Sequence, residues 1–171
     1  MAAYNPAIHH RKSIRLKGYD YAQEGFYFIT ICCQDRAQLF GKIEGTQLIL
    51  NECGEIAHKC WLEIPEHFPN VALHDHIIMP NHVHGIIEIK FKSNHIEKRV
   101  LPRSPSKTVG SIVRGFKIGV TKWMRQNTNV YKVWQRNYFD NIIRNEQSFD
   151  RISDYIRNNP KKWSEDRFFE K

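Results

Sequence analysis

The chain has 171 residues, 41% of them hydrophobic and 12% aromatic, with a formal net charge of +8. That length fits one domain, or one domain with arms, able to bury a core without disulfides, and the composition is that of a globular rather than a disordered protein. No apolar run approaches the ~18 residues of a membrane span, and the N-terminal stretch MAAYNPAIHHRKS has no apolar segment of the signal-peptide type, so a cytoplasmic location is expected.

In chain order, residues 1–18 read as a basic arm ending in RKSIRLKGYD, and FYFITICC (26–33) as a buried strand rich in aromatic and β-branched residues. TQLILN (46–51) is a second strand candidate, reached through a turn region at Gly41–Gly45. From Glu52 to Phe68, Ile56, Cys60, Trp61 and Ile64 recur at helical spacing, with Pro65 near the end. NVALHDHIIM (70–79) and GIIEIKF (85–91) form an antiparallel hairpin across Pro80-Asn81. Residues 93–107 are polar, basic and proline-containing, as a loop would be. In 108–125, Val109, Ile112, Val113, Phe116, Val120 and Trp123 fall on one helical face, with Lys107, Arg114, Lys117, Lys122 and Arg125 opposite. YKVWQRNYFDNIIRN (131–145) contains short extended segments. The last predicted element is a helix over 148–160, with Ser148 as N-cap, Phe149, Ile152 and Ile156 on the buried stripe, and Pro160 as terminator. Strands and helices mixed through hairpins give an α+β class with a mostly antiparallel sheet.

Charge is concentrated in one place. Between Lys90 and Arg125 there are ten Lys or Arg residues and one acid, Glu97, which is the footprint of a polyanion partner, most commonly nucleic acid. The four cysteines (Cys32, Cys33, Cys53, Cys60) lack metal-ligand spacing and read as reduced thiols.

MPNHVHGII (79–87) places His82 and His84 two apart on a strand, where side chains share a face and their Cα atoms sit roughly 7 Å apart. Two imidazoles at that spacing can converge on one ion, each at ~2.1 Å, or can equally be incidental strand histidines. His74 and His76 repeat the spacing. A two-residue turn at Pro80-Asn81 pairs Met79 with His82 and Ile77 with His84, which turns His74 and His76 away from the metal side. On the last helix Tyr155 and Asn159 stand one turn apart, a phenolic nucleophile and a neutral oxygen ligand for a hard ion, or else a half-buried aromatic and its polar neighbour.

MPNHVHGII followed by YIRNNP (155–160), together with RKSIRLKGYDY, FYFITICC, GSIVRGFK and WQRNYFDNIIRN, resembles the HUH single-tyrosine transposases, and among them the REP-associated tyrosine transposases. The resemblance runs from about Ile14 to Trp163. It implies a ferredoxin-like fold in a catalytic domain over 19–163, between the basic arm 1–18 and a C-terminal tail 164–171. It implies Mg²⁺ or Mn²⁺ held by His82, His84 and Asn159, and Tyr155 as the nucleophile that cleaves single-stranded DNA beside a hairpin through a 5′-phosphotyrosine. Arg11, Lys12, Arg15 and Lys17 of the arm and Lys107, Arg114, Lys117, Lys122 and Arg125 would grip hairpin phosphates, in a monomer or homodimer associated with the nucleoid. The rival expectations are a catalytically silent hairpin-binding protein and a phosphodiesterase that uses water.

Overall fold

The structure is a computed structural model, described here for residues 18–91 and 108–169. Strand β1 (Gly25–Cys32) is followed by β2 (Gly41–Glu44) and β3 (Gln47–Leu50), then helix α1 (Glu52–Leu62) and the short α2 (Ile64–His67). The hairpin β4 (Val71–Met79) and β5 (His82–Ile89) leads to α3 (Val109–Asn127), β6 (Phe139–Ile143) and α4 (Glu146–Asn158). A 3₁₀ segment, Pro160–Glu165, follows α4. The main sheet has the order β4-β5-β1-β6, antiparallel throughout, and β2 and β3 form a separate two-stranded ribbon. Taking only the main-sheet strands with α1 and α3, the chain runs β-α-β-β-α-β with the first strand central, which is the ferredoxin-like arrangement. The expected α+β class is what is found.

Strand alternation divides the chemistry between the two faces. Tyr27, Ile29 and Ile31 of β1 and Val83, Ile87 and Ile89 of β5 point to a core shared with Trp61 of α1 and Val109, Ile112, Val113, Phe116, Val120 and Met124 of α3. Ile86, Ile143 and Ile156 form a second cluster under α4, with Phe26, Phe28, Phe149 and Ile152 packed against it. The helices are held by their caps as well as by packing. Asn51 Oδ1 accepts from the Gly54 N–H, and Thr108 and Ser111 form a reciprocal capping box at α3. At α4 the cap is Asn145, whose Oδ1 accepts the Ser148 N–H at 2.8 Å; Ser148 itself lies inside the helix. In α3 it is Met124 that is buried, whereas Trp123 is only partly so. The expected turn at Gly41–Gly45 is instead mostly strand β2.

The hairpin register agrees with the sequence reading, with Met79 opposite His82 and Ile77 opposite His84. Farther along, a β-bulge between Leu73 and His76 breaks the period of two. His76 therefore stacks on Trp61 and His58 on the α1 side, while His74 turns to the opposite face, against Phe26, Phe149 and the Glu88 carboxylate. The expectation that both face away from His82 and His84 holds for His76 alone. His74 shares their face, but sits at the far end of it beside Glu88.

Candidate active site

His82 and His84 are fully buried on the α4 face of the central strand β5. Each ring is oriented by a neighbour. Asn81 gives its Nδ2–H to the Phe168 carbonyl at 2.7 Å, which leaves its Oδ1 as acceptor for the His82 Nδ1–H at 2.9 Å. The proton on Nδ1 leaves the His82 Nε2 as a bare lone pair, and that atom is buried with no hydrogen-bond partner. On β1, the Thr30 hydroxyl lies 2.9 Å from His84 Nδ1 and fixes the second ring. Such an outer hydrogen bond on the far nitrogen is what orients a metal-ligating imidazole.

Helix α4 brings Tyr155 to the same place. Its hydroxyl is 3.1 Å from His84 Nε2 and donates to Asp166 Oδ2 at 3.2 Å. Asn159, at the end of the same helix, gives its Nδ2–H to that Asp166 oxygen at 2.8 Å, and its own Oδ1 is a second buried acceptor without a partner. Three of the four residues expected at the site thus carry or touch an acceptor aimed into one buried space. The fourth, Tyr155, is 40% exposed and opens on a cleft of about 380 Å³ lined by Arg151, Asn158, Lys162 and Glu165 among others.

Asp166 is the residue the sequence reading misses. Side-chain atoms of His82, His84 and Asp166 lie within 4.8 Å of one another, a grouping able to hold a metal ion. Residues 164–169, set apart in sequence as a tail, close over the histidines: Phe168 packs on His82 at 4.7 Å between ring centroids, and Asp166 Oδ1 accepts the Phe168 N–H. Nothing periodic marks Asp166, because it lies beyond Pro160 in irregular backbone. Its distance from Asn159, seven residues on, is the only cue available. The donor set fits a divalent ion: two neutral imidazoles, an amide oxygen and a carboxylate, with two of the acceptors otherwise unpaired at a cost of about 1–3 kcal/mol each.

Burial keeps both imidazoles neutral, pushing His82 down to about 4 and His84 well below its ordinary value, with the charges of neighbouring Arg167 and His82 adding to the second effect. Burial and the Asp166 carboxylate push the Tyr155 phenol up to about 12, so without a cation beside it the phenol stays protonated at neutral pH. Because the folded-state values of both histidines are depressed, the unfolded chain takes up protons that the folded one refuses. Stability therefore falls as pH drops below about 6.5, by up to roughly 1.4 kcal/mol per pH unit for each proton. Thermal melts are expected to show a level Tm from pH 7.5 to about 6.5 and a falling Tm from there to pH 5; a profile flat down to pH 5 would contradict the buried neutral pair.

The basic residues of α3 lie on the other side of the sheet. Arg114, Lys117, Lys122 and Arg125 line a cleft of about 1000 Å³ together with Tyr19 and Arg136. Not all of them are free for a ligand. The Lys117 ammonium donates to the carbonyls of Gln135 and Asn137 at 2.7 and 2.8 Å, tying α3 to the segment before β6, and burial lowers it to about 8. Among the described residues, Arg125 gives only its Nε and Nη2 to the Tyr131 carbonyl, and its Nη1 remains for a ligand. Arg11, Lys12, Arg15, Lys17 and Lys107 lie outside the described residues. Cys32 and Cys33 are buried free thiols, raised by burial, and neither belongs to the metal-type grouping found among the described residues.

A four-stranded antiparallel sheet with helices packed on it is the fold of a solved REP-associated tyrosine transposase. A solved structure of a REP-associated tyrosine transposase bound to a REP hairpin superimposes with a TM-score of 0.60 over 87% of this chain and 74% of that one, at 20% identity. In sequence, a Haemophilus influenzae protein described as "Uncharacterized protein" is 51% identical over 97% of both chains, and the chain belongs to one family with it. A second Haemophilus influenzae protein, described as "Putative REP-associated tyrosine transposase", is 24% identical over 84% of this chain and 74% of its own length. The resemblance to REP-associated tyrosine transposases holds in both comparisons. No family model matches the chain.

Proposed function

We propose that this protein is a transposase-like single-stranded DNA endonuclease and strand transferase, with Tyr155 as its nucleophile. The observation that carries the proposal is the Tyr155 hydroxyl 3.1 Å from His84 Nε2, beside the unpaired buried acceptors of His82 and Asn159. Mg²⁺ or Mn²⁺ would be held by His82, His84 and Asn159 with Asp166 in reach, and when bound it supplies Lewis-acid stabilisation of charge on a scissile phosphate. The remaining work belongs to the chain. Asn81 and Thr30 hold the imidazole planes. Asp166 Oδ2, already the acceptor of the Tyr155 O–H, takes that proton as the phenolate oxygen attacks phosphorus in line. A P–O bond to tyrosine forms as the P–O3′ bond breaks, and the departing O3′ takes a proton from solvent, leaving a 5′-phosphotyrosine and a free 3′-hydroxyl. The bond is exchanged rather than spent, so a second 3′-hydroxyl can reverse the step and rejoin the strand. Arg114, Lys122 and Arg125, with Arg11, Lys12, Arg15, Lys17 and Lys107, are assigned to phosphates of the hairpin, which makes affinity strongly salt-dependent.

The test is incubation of the protein with labelled hairpin-bearing single-stranded DNA and Mg²⁺ or Mn²⁺, read on a denaturing protein gel. A labelled protein band that disappears in Tyr155→Phe is the expected result. Cleavage without the band would point to a hydrolase using water, and binding without cleavage to a hairpin-binding module.

A further inference from the structure

The basic cleft and the tyrosine site lie on opposite faces of the sheet. A strand held at one must pass an edge to reach the other, and one segment runs between them. Arg136, Asn137 and Tyr138 line the α3 cleft. The next residue, Phe139, begins the edge strand β6 and pairs with Thr30, whose hydroxyl holds His84. Cross-strand partners share a face, so Phe139 stands on the tyrosine side of the sheet, one residue after a cleft-lining tyrosine on the other side.

Phe139 is exposed in a way that core packing does not require. It is 40% accessible. The Arg167 guanidinium covers part of its ring at 5.6 Å and lies over Phe168 at 4.5 Å, and Phe168 in turn packs on His82 and His84. Arg167 makes no ion pair among the described residues, and its backbone carbonyl is anchored by Arg36 Nη1 at 3.3 Å. An exposed aromatic face beside an unpaired guanidinium is the pairing that takes a nucleobase on the ring and its phosphate on the cation.

We infer that Phe139 and Arg167 form a subsite for one unpaired nucleotide of the DNA strand, at the point where that strand rounds the β6 edge from the α3 cleft toward Tyr155. The subsite rests on the proposed function for the identity of its ligand. Phe139 stacks the base and Arg167 takes the phosphate, so the strand enters the tyrosine site from the β6 side.

The experiment compares two labelled probes, a DNA hairpin without a tail and the same hairpin with an oligothymidine tail containing one 2-aminopurine. Phe139→Ala is expected to weaken binding of the tailed probe roughly ten-fold and to abolish the change in 2-aminopurine fluorescence, with the tail-free probe unchanged. Phe139→Trp restores both, which separates stacking from a loss of folding. Arg167→Ala is expected to lower the salt-dependence slope for the tailed probe by about one and leave the tail-free slope unchanged. Equal affinity of Phe139→Ala and the parent chain for the tailed probe overturns the subsite, as does equal loss for both probes. Binding is read without cleavage, so the subsite stands if Tyr155 forms no adduct, and falls on these outcomes even if it does.

Discussion

His84→Ala is expected to reduce adduct formation by a factor of roughly a hundred to a thousand, while affinity for a DNA hairpin stays within about two-fold. The His84 ring has Thr30 behind it, Tyr155 in front and His82 at 4.4 Å between ring centroids, with Phe28 and Phe168 also packed on it. Removing it takes away one expected ligand and the group that lies against the nucleophile. It leaves the α3 cleft intact, because that cleft is on the other face of the sheet. The measurements are single-turnover adduct formation at saturating DNA and titration of Mn²⁺ into the protein alone, where heat of binding should be lost. An adduct rate unchanged by the substitution would remove the histidine pair from the chemistry. Thr30→Val offers a milder version, since it deletes the orienting hydroxyl and keeps both rings; metal affinity should fall by roughly ten- to a hundred-fold.

The parts of this site that the sequence makes legible are those governed by a regular period. His82 and His84 share a face because strand side chains alternate, and Tyr155 and Asn159 share a side because a helix turns in 3.6 residues. The Pro80-Asn81 turn sets a register in which Ile77 meets His84, as found. Where the period breaks, the reading fails. The bulge between Leu73 and His76 sends two histidines of identical spacing to opposite faces, and no residue type announces it. Asp166 and Phe168 lie in irregular backbone after Pro160, so their return over the histidines depends on tertiary contacts such as the Asn81 amide donating to the Phe168 carbonyl. Asn81 reads in sequence as a turn residue only. In the fold it also sets the tautomer of His82, a role created by the third group that fixes which way its amide points. The basic face of α3 was visible from its pattern, yet the pattern could not tell that Lys117 is spent on two carbonyls.

Gly85→Ala is expected to damage fold and site together. Gly85 lies between His84 and Ile86 on β5 and faces the α1 side of the sheet, where a Cβ would come within 2.2 Å of Trp61 Cζ2 and 2.8 Å of Cη2. Trp61 is fully buried among Phe116, His76 and the sheet, so its indole has no room to retreat. Overpacking of this kind costs about 3 kcal/mol when neighbours must shift. For a chain of this size that is a fall of roughly 6–12 °C in Tm. The strain relaxes most readily by pushing β5 toward α4, which moves His82 and His84 relative to Tyr155, so Mn²⁺ affinity should drop with stability. The double variant Gly85→Ala with Trp61→Phe separates the clash from a general intolerance of strand β5. Phenylalanine removes the ring atoms that meet the new methyl and also the indole N–H, which is buried without a partner. The double variant should therefore be destabilised by clearly less than the sum of the two single changes, a coupling that a thermodynamic cycle of melts measures directly. Strict additivity would mean that Trp61 is not what forbids a side chain at position 85.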